Sequence, residues 1–247
     1  MKPQIALLAL GLALALAAPA DAKPKAGAVP SACGYKSLPL ATGNTWTYKN
    51  GDKSVTVKID NVSPGKDWSG KPATIIDVEE TYAGRTIKTQ WACTPTTGLS
   101  VALDSFYFTG EPGGGVGMQF TVTAHDKSWL LPEEQLTAEV AWVENMKADV
   151  ARADAGGAGA VHAPAKLEVE RHVQLRGGET LDIPAGHFRA QKYFFELRGR
   201  GLVEDQKNEI PIKRPGAYYI TPGVGVVKID DAFAKTWELS ESNLIAK

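Results

Sequence analysis

Four histidines, His125, His162, His172 and His187, are the first residues to test for chemistry. No two stand at metal-ligand spacing, and the chain has neither a Cys-x-x-Cys nor an Asp-x-Asp-x-Asp-Gly loop, so no metal site is expected. His162 falls in a Gly/Ala-rich stretch, His187 follows a turn glycine, and His172 stands beside Arg171 in a strand-like run. A serine nucleophile would need a Gly-x-Ser-x-Gly elbow between strand and helix, which is missing. Ser54, Ser100 and Ser105 lie in strand-like runs instead. The pairs Glu79-Glu80, Glu133-Glu134 and Asp230-Asp231 could supply acid and base, but neighbours on a strand point to opposite faces, so they read as solvated. The run Gly110 to Gly117 lacks the Lys-Ser or Lys-Thr of a phosphate loop and reads as a hairpin tip, or as a lid over a concave sheet. No catalytic residue and no cofactor is expected. The alternative is a hydrolase assembled from distant residues, for instance His172 or His187 with Asp182.

The cysteines are Cys33 and Cys93. An exported chain permits oxidation, and a bridge between them would close a loop of roughly 60 residues, worth about 4 kcal/mol in the chain-entropy model. Two unpaired buried thiols, or one reactive thiol, are the alternatives.

Export follows from the first residues. Lys2 precedes an uncharged Leu/Ala-rich run from Ile5 to Ala18, shorter than the roughly 20 residues of a spanning helix. Pro19 ends it, and Ala20-Asp21-Ala22 supplies the small-x-small pattern of a signal peptidase site, with cleavage between Ala22 and Lys23. This divides the chain into a signal peptide (1–22), a flexible leader (23–31) and a single β-rich domain (32–247) with a flexible loop near 153–163. No later segment approaches spanning length, so the mature chain is expected to be soluble, in the periplasm or secreted. A formal net charge of −1 gives no electrostatic case for nucleic acid.

The elements that would position any site are strands. Period-two alternation runs through Trp46/Tyr48, Val55/Val57/Ile59, Ile76/Val78, Ile87 to Cys93, Leu99/Val101/Leu103 and Phe106/Phe108. It resumes at Val116 to Val122, Val140 to Val143, Leu167 to Leu175, Phe188 to Leu197, and three strands from Ala217 onwards. Asn50-Gly51, Ser63-Pro64-Gly65, Ala83-Gly84 and Gly177-Gly178 mark turns, and one helical turn is expected after Pro132. The pattern predicts an all-β fold, or β with a minor helix: a curved antiparallel sheet or half-open barrel of roughly ten strands. Trp46, Trp91, Trp142, Trp237, Phe106, Phe108, Phe194 and Tyr218 would fill its core or line an apolar cavity.

Three segments carry a family resemblance: Leu38 to Tyr48 (LPLATGNTWTY), Ile183 to Ala190 (IPAGHFRA) and Tyr218 to Lys228 (YYITPGVGVVK). In this order they resemble the TapB-like group of exported bacterial proteins and lipoproteins. The resemblance implies an envelope protein with a curved antiparallel sheet, similar in style to the half-barrels of lipoprotein carriers, and implies no activity. This chain lacks the lipid-attachment Cys of many members. The expected function is non-enzymatic binding of an apolar small molecule, a lipid or an envelope protein; the alternative is a structural or interaction module.

Overall fold

Alternating apolar residues specify strands, and strands dominate the computed structural model, which describes residues 22–23, 31–110, 118–126, 128–137, 139–152, 165–203 and 209–246. The signal segment before Ala22, leader residues 24–30, the glycine run 111–117 and the loop 153–163 lie outside the described residues. The strands are β1 (Thr45–Asn50), β2 (Lys53–Lys66), β3 (Pro72–Tyr82), β4 (Arg85–Thr94), β5 (Gly98–Ser100) and β6 (Met118–Asp126). They continue as β7 (Ala141–Arg152), β8 (Ala165–Ile183), β9 (Gly186–Val203), β10 (Glu209–Thr221), β11 (Gly225–Asp230) and β12 (Thr236–Ser242). All belong to one curved antiparallel sheet of 12 strands, more than the alternation pattern suggested.

The spatial order is β5-β4-β3-β2-β1-β12-β11-β10-β9-β8-β7-β6. Every neighbour is a sequence neighbour except at the centre, where the first and last strands pair, Trp46 opposite Ser242 and Lys49 opposite Glu238. The two edges, β5 and β6, are themselves consecutive in sequence. The order is therefore that of a barrel left open along one seam. At that seam Leu99 and Leu130 exchange backbone bonds of 2.8 and 3.0 Å, a single bridge rather than a ladder.

Several local expectations are corrected. Phe106 and Phe108 do not continue a strand: β5 stops at Ser100, and Phe106–Thr109 form the helical turn α1. Ser105 caps it, its side chain accepting from Tyr107 N, and Gly110 ends it at φ 73°. Both faces of this Phe-Tyr-Phe run are buried, so its alternation carried no strand information. Ser63-Pro64-Gly65 lies inside β2, and the reversal comes later, where the Asp67 side chain accepts from Ser69 N and Lys71 N at 2.9 Å each. Gly177-Gly178 is a bulge within β8, with Gly177 at φ 99° bending the strand. The first hairpin turns on Gly51-Asp52, one residue later than expected, since Asn50 pairs with Lys53. Phe194 points away from the core, under the Arg176 guanidinium.

The concave face is filled by the chain's own residues. Phe106 lies 5.0 Å from Tyr48 and 5.4 Å from Trp237, ring centroid to centroid, and Tyr107 packs 5.2 Å from Trp91. Trp129 stacks on Tyr107 at 5.8 Å and meets Tyr218 at 4.8 Å, joining α1 to the opposite wall. Glu80, read from sequence as solvated, is buried on β3: it accepts from Ser105 Oγ at 2.6 Å and from Phe106 N at 2.8 Å. Its sequence neighbour Glu79 faces outward and pairs with Lys58 and Lys88.

Cys33 and Cys93 are joined, tying the segment before β1 to the end of β4. Replacing both by Ser lowers unfolding stability by about 4 kcal/mol; denaturation with and without reductant checks this, the reduced native protein matching the double variant. Burial pushes the Glu80 carboxyl up to about 8, against the lowering effect of the Ser105 and Phe106 bonds, with the Asp104 charge adding to the rise. A raised carboxyl favours the protonated folded state, so its contribution is complete below the unfolded value and is lost as pH climbs to about 8. Urea midpoints measured against pH should fall over that window in the native protein and stay flatter in Glu80→Gln.

Candidate functional site

Strands β6 to β10 run on past the rest of the sheet, since β11 pairs only with Ala217 to Thr221 of β10. The register sets the inner face of this five-stranded extension. One row reads Val122, Ala148, Leu167, Gly201 and Ile210. The next, towards the core, reads His125, Met146, Val169, Gly199 and Ile212. Leu167, Val122 and Ile212 are only half-buried, and Ile210 is 51% exposed. Gly199 is required by close approach: a Cβ there would stand 2.1 Å from the Glu168 carbonyl oxygen. Gly201 is different. Among the described residues its Cβ would meet only Ile210 Cβ, at 4.0 Å, so that within them the row has a gap between Leu167 and Ile210.

Behind these rows the apolar face ends on a buried charged centre. Arg171 and Glu144 stand opposite each other on β8 and β7 and are both buried. Arg171 Nε donates to Glu144 Oε2 at 2.6 Å, and its Nη2 to the Trp129 carbonyl at 2.6 Å. Glu144 Oε1 takes the third bond, 2.8 Å from His125 Nε2. The guanidinium also lies 5.5 to 5.9 Å from the ring centroids of Trp129, Tyr218 and Phe108. Burial pushes the Tyr218 hydroxyl up, and the Arg171 charge opposes that shift. This centre joins the sheet wall to the filling segment at Trp129 and is read as structural.

The outer face of the same strands is also hollowed, to about 870 Å3, but its walls are charged. Lys147, Glu168, Arg200 and Glu209 form a ladder of ion pairs at 3.0, 2.8 and 2.9 Å. The Lys147 and Arg200 bonds hold the Glu168 carboxyl below its usual range. These are mutually satisfied surface ions.

Of the other residues singled out from sequence, Asp182 and His187, one of the two pairs of the alternative hydrolytic reading, are brought together as cross-strand partners; His172 faces outward near Glu170 and opposite Glu196, and the rest scatter. Glu133 accepts from Ser37, and Asp231 caps the turn to β12 by accepting from Phe233 N and Lys235 N. Ser105 caps α1, and His162 lies outside the described residues. Among the described residues no group of three or more His, Cys, Asp and Glu gathers as metal ligands. At the expected cleavage bond, Ala22 N bonds to the His187 carbonyl at 2.8 Å and Lys23 O accepts from Ala246 N at 3.2 Å. The Arg171 centre was missed in sequence because Glu144, Arg171 and His125 come from three strands, and only the register brings them together.

No protein-family model and no curated protein matches the sequence. Two solved structures are similar in backbone. An exported protein with a YmcC-like fold from Bacteroides fragilis aligns with TM-score 0.48 at 14% identity, over 83% of this chain and 98% of that one. A lipoprotein from Parabacteroides distasonis aligns with TM-score 0.41 at 14% identity, over 83% and 97%. Among the described residues no helix is long and apolar enough to cross a membrane.

Removing one partner of the buried pair strands the other. Arg171→Met should lower stability by about 3–5 kcal/mol, and adding Glu144→Leu should restore much of it. A double-mutant cycle from denaturant unfolding measures both.

Proposed function

We propose that this is an exported cell-envelope protein that works by holding an apolar ligand, an acyl chain, on the open inner face of β6 to β10. In this reading the signal peptide ends at Ala22, and the mature chain, starting at Lys23, acts in the periplasm or outside the cell. The observation that carries the reading is the contrast along one face. From Trp46 to Phe195 it is covered by α1 and Trp129, whereas at Val122, Leu167 and Ile210 the same apolar alternation continues with no side chain at Gly201. Among the described residues no side chain covers this row, and an apolar row with a gap in it is suited to a narrow, flexible apolar chain. The interior of the curve, where a cavity was the alternative to a packed core, is taken up by aromatic side chains.

Partner binding is the second reading, favoured by the β6 edge. This nine-residue strand has no strand neighbour on its seam side among the described residues, and Met118 to Ala124 carry no charge to deter pairing.

Native mass spectrometry of the mature protein purified from envelope fractions distinguishes the two. An acyl lipid should accompany the native protein and be absent from Gly201→Phe, which fills the gap. The melting temperature of Gly201→Phe should be equal or higher, because glycine weakens a strand. A native protein that carries no lipid and takes up no added fatty acid would overturn the acyl-chain reading.

A further inference from the structure

The seam between β5 and β6 is a second, chemically different opening. It is a cleft of about 520 Å3, inside the roughly 300–1,000 Å3 of small-molecule sites. One wall comes from the turns after β2 and β4, the other from the end of β6 and the segment 128–135. Trp68 stands in the first of those turns, 44% exposed, one of few large apolar side chains in the described surface to be so. Its ring meets His125 edge-on, centroids 5.4 Å apart at 81°. His125 is held in turn by Glu144, so the wall behind the indole is fixed to the core.

Around this indole the cleft is polar and rich in acceptors. Asp67 spends Oδ1 on Ser69 and Lys71, and Asp126 spends Oδ1 on Asn145; Oδ2 of each accepts no hydrogen bond from a described residue. Burial raises the Asp67 carboxyl, but the bonds from Ser69 and Lys71 outweigh it and hold the group below its usual range. It is therefore an ionised, acceptor-only group at neutral pH. Thr96 and Gln135 add a hydroxyl and an amide to the walls.

We infer that the seam cleft is a saccharide site, in which Trp68 offers an apolar platform to a sugar ring and Asp67 and Asp126 accept bonds from its hydroxyls. The chemistry selects among ligands. Asp67 and Asp126 outnumber Lys71, the one cation among the lining residues, and so disfavour phosphates and carboxylic acids. A polar rim leaves buried acceptors unpaired beneath a purely apolar ligand. A pyranose has an apolar ring face and a perimeter of O–H donors, and satisfies both demands. This inference does not rest on the acyl-chain reading.

The test is titration of the full mature protein with chitotetraose, cellotetraose and maltotetraose, read by tryptophan emission and by saturation-transfer NMR. Saturable binding of at least one is expected. Trp68→Ala should abolish the emission change, and Asp126→Asn should weaken binding by about ten-fold or more. Trp68→Ala should melt like the native protein, because the side chain is half in solvent. Gly201→Phe should bind sugar unchanged, so the two readings fail separately. No saturation with any of the three at millimolar concentration would overturn the inference, as would binding that Trp68→Ala leaves intact. Preferential binding of inorganic phosphate or acetate would overturn it too.

Discussion

A sheet of 12 strands curved this far presents a concave apolar surface too large to leave wet, and the chain meets that constraint with its own residues. The segment after β5 enters the curve as α1, and Trp129 follows from the segment after β6. Glu80 fixes α1 in place by accepting from Ser105 and from the Phe106 amide, two donors that would otherwise be buried unpaired. Tyr48 and Tyr107 close the other side, hydroxyl to hydroxyl at 2.7 Å, with Tyr48 donating to the Val226 carbonyl. The filling is thus held by a few polar contacts set among aromatic rings. Where it ends, the sheet continues without cover from any other described residue, and the apolar face of β6 to β10 emerges.

The Arg171 centre answers the same constraint on the other wall. A guanidinium in a low-dielectric interior needs a carboxylate, further acceptors, or polarisable ring faces, and here it has all three. Its bond to the Trp129 carbonyl links the wall to the filling. Through Glu144 it also orients His125, which reaches the seam cleft. One buried pair therefore sets the geometry of a surface more than one strand away.

Much of this was legible in the sequence, because strand burial is written in alternation. Trp46/Tyr48, Val55/Val57/Ile59 and Ile76/Val78 all face inward as their spacing demands. The turns at Ala83-Gly84, at Pro184-Ala185 and after Thr221 fall where glycine and proline place them. The pattern misled where both faces are buried: Phe-Tyr-Phe at α1 alternates nothing, so period alone cannot separate a strand from a helical turn. It also misled at Pro64-Gly65 and Gly177-Gly178, where long strands absorb turn residues by edge pairing or a bulge. Glu80 looked solvated because its neighbour Glu79 is; only the position of Ser105, 25 residues on, makes burial tolerable. Sites were least legible. Trp68 and His125 lie far apart in sequence and meet only because the sheet bends almost onto itself.

The pairing of β1 with β12 at the middle of the sheet has a kinetic consequence. Trp46 waits for Ser242, so the two halves of the meander can each zip locally but cannot join until β12 is available. Closing so long a loop is entropically slow compared with forming the hairpins beside it. The molecule should therefore assemble as two ribbons and lock last at the pairing of β1 with β12. A chain missing β12 would keep its hairpins and lose the junction between the two ribbons.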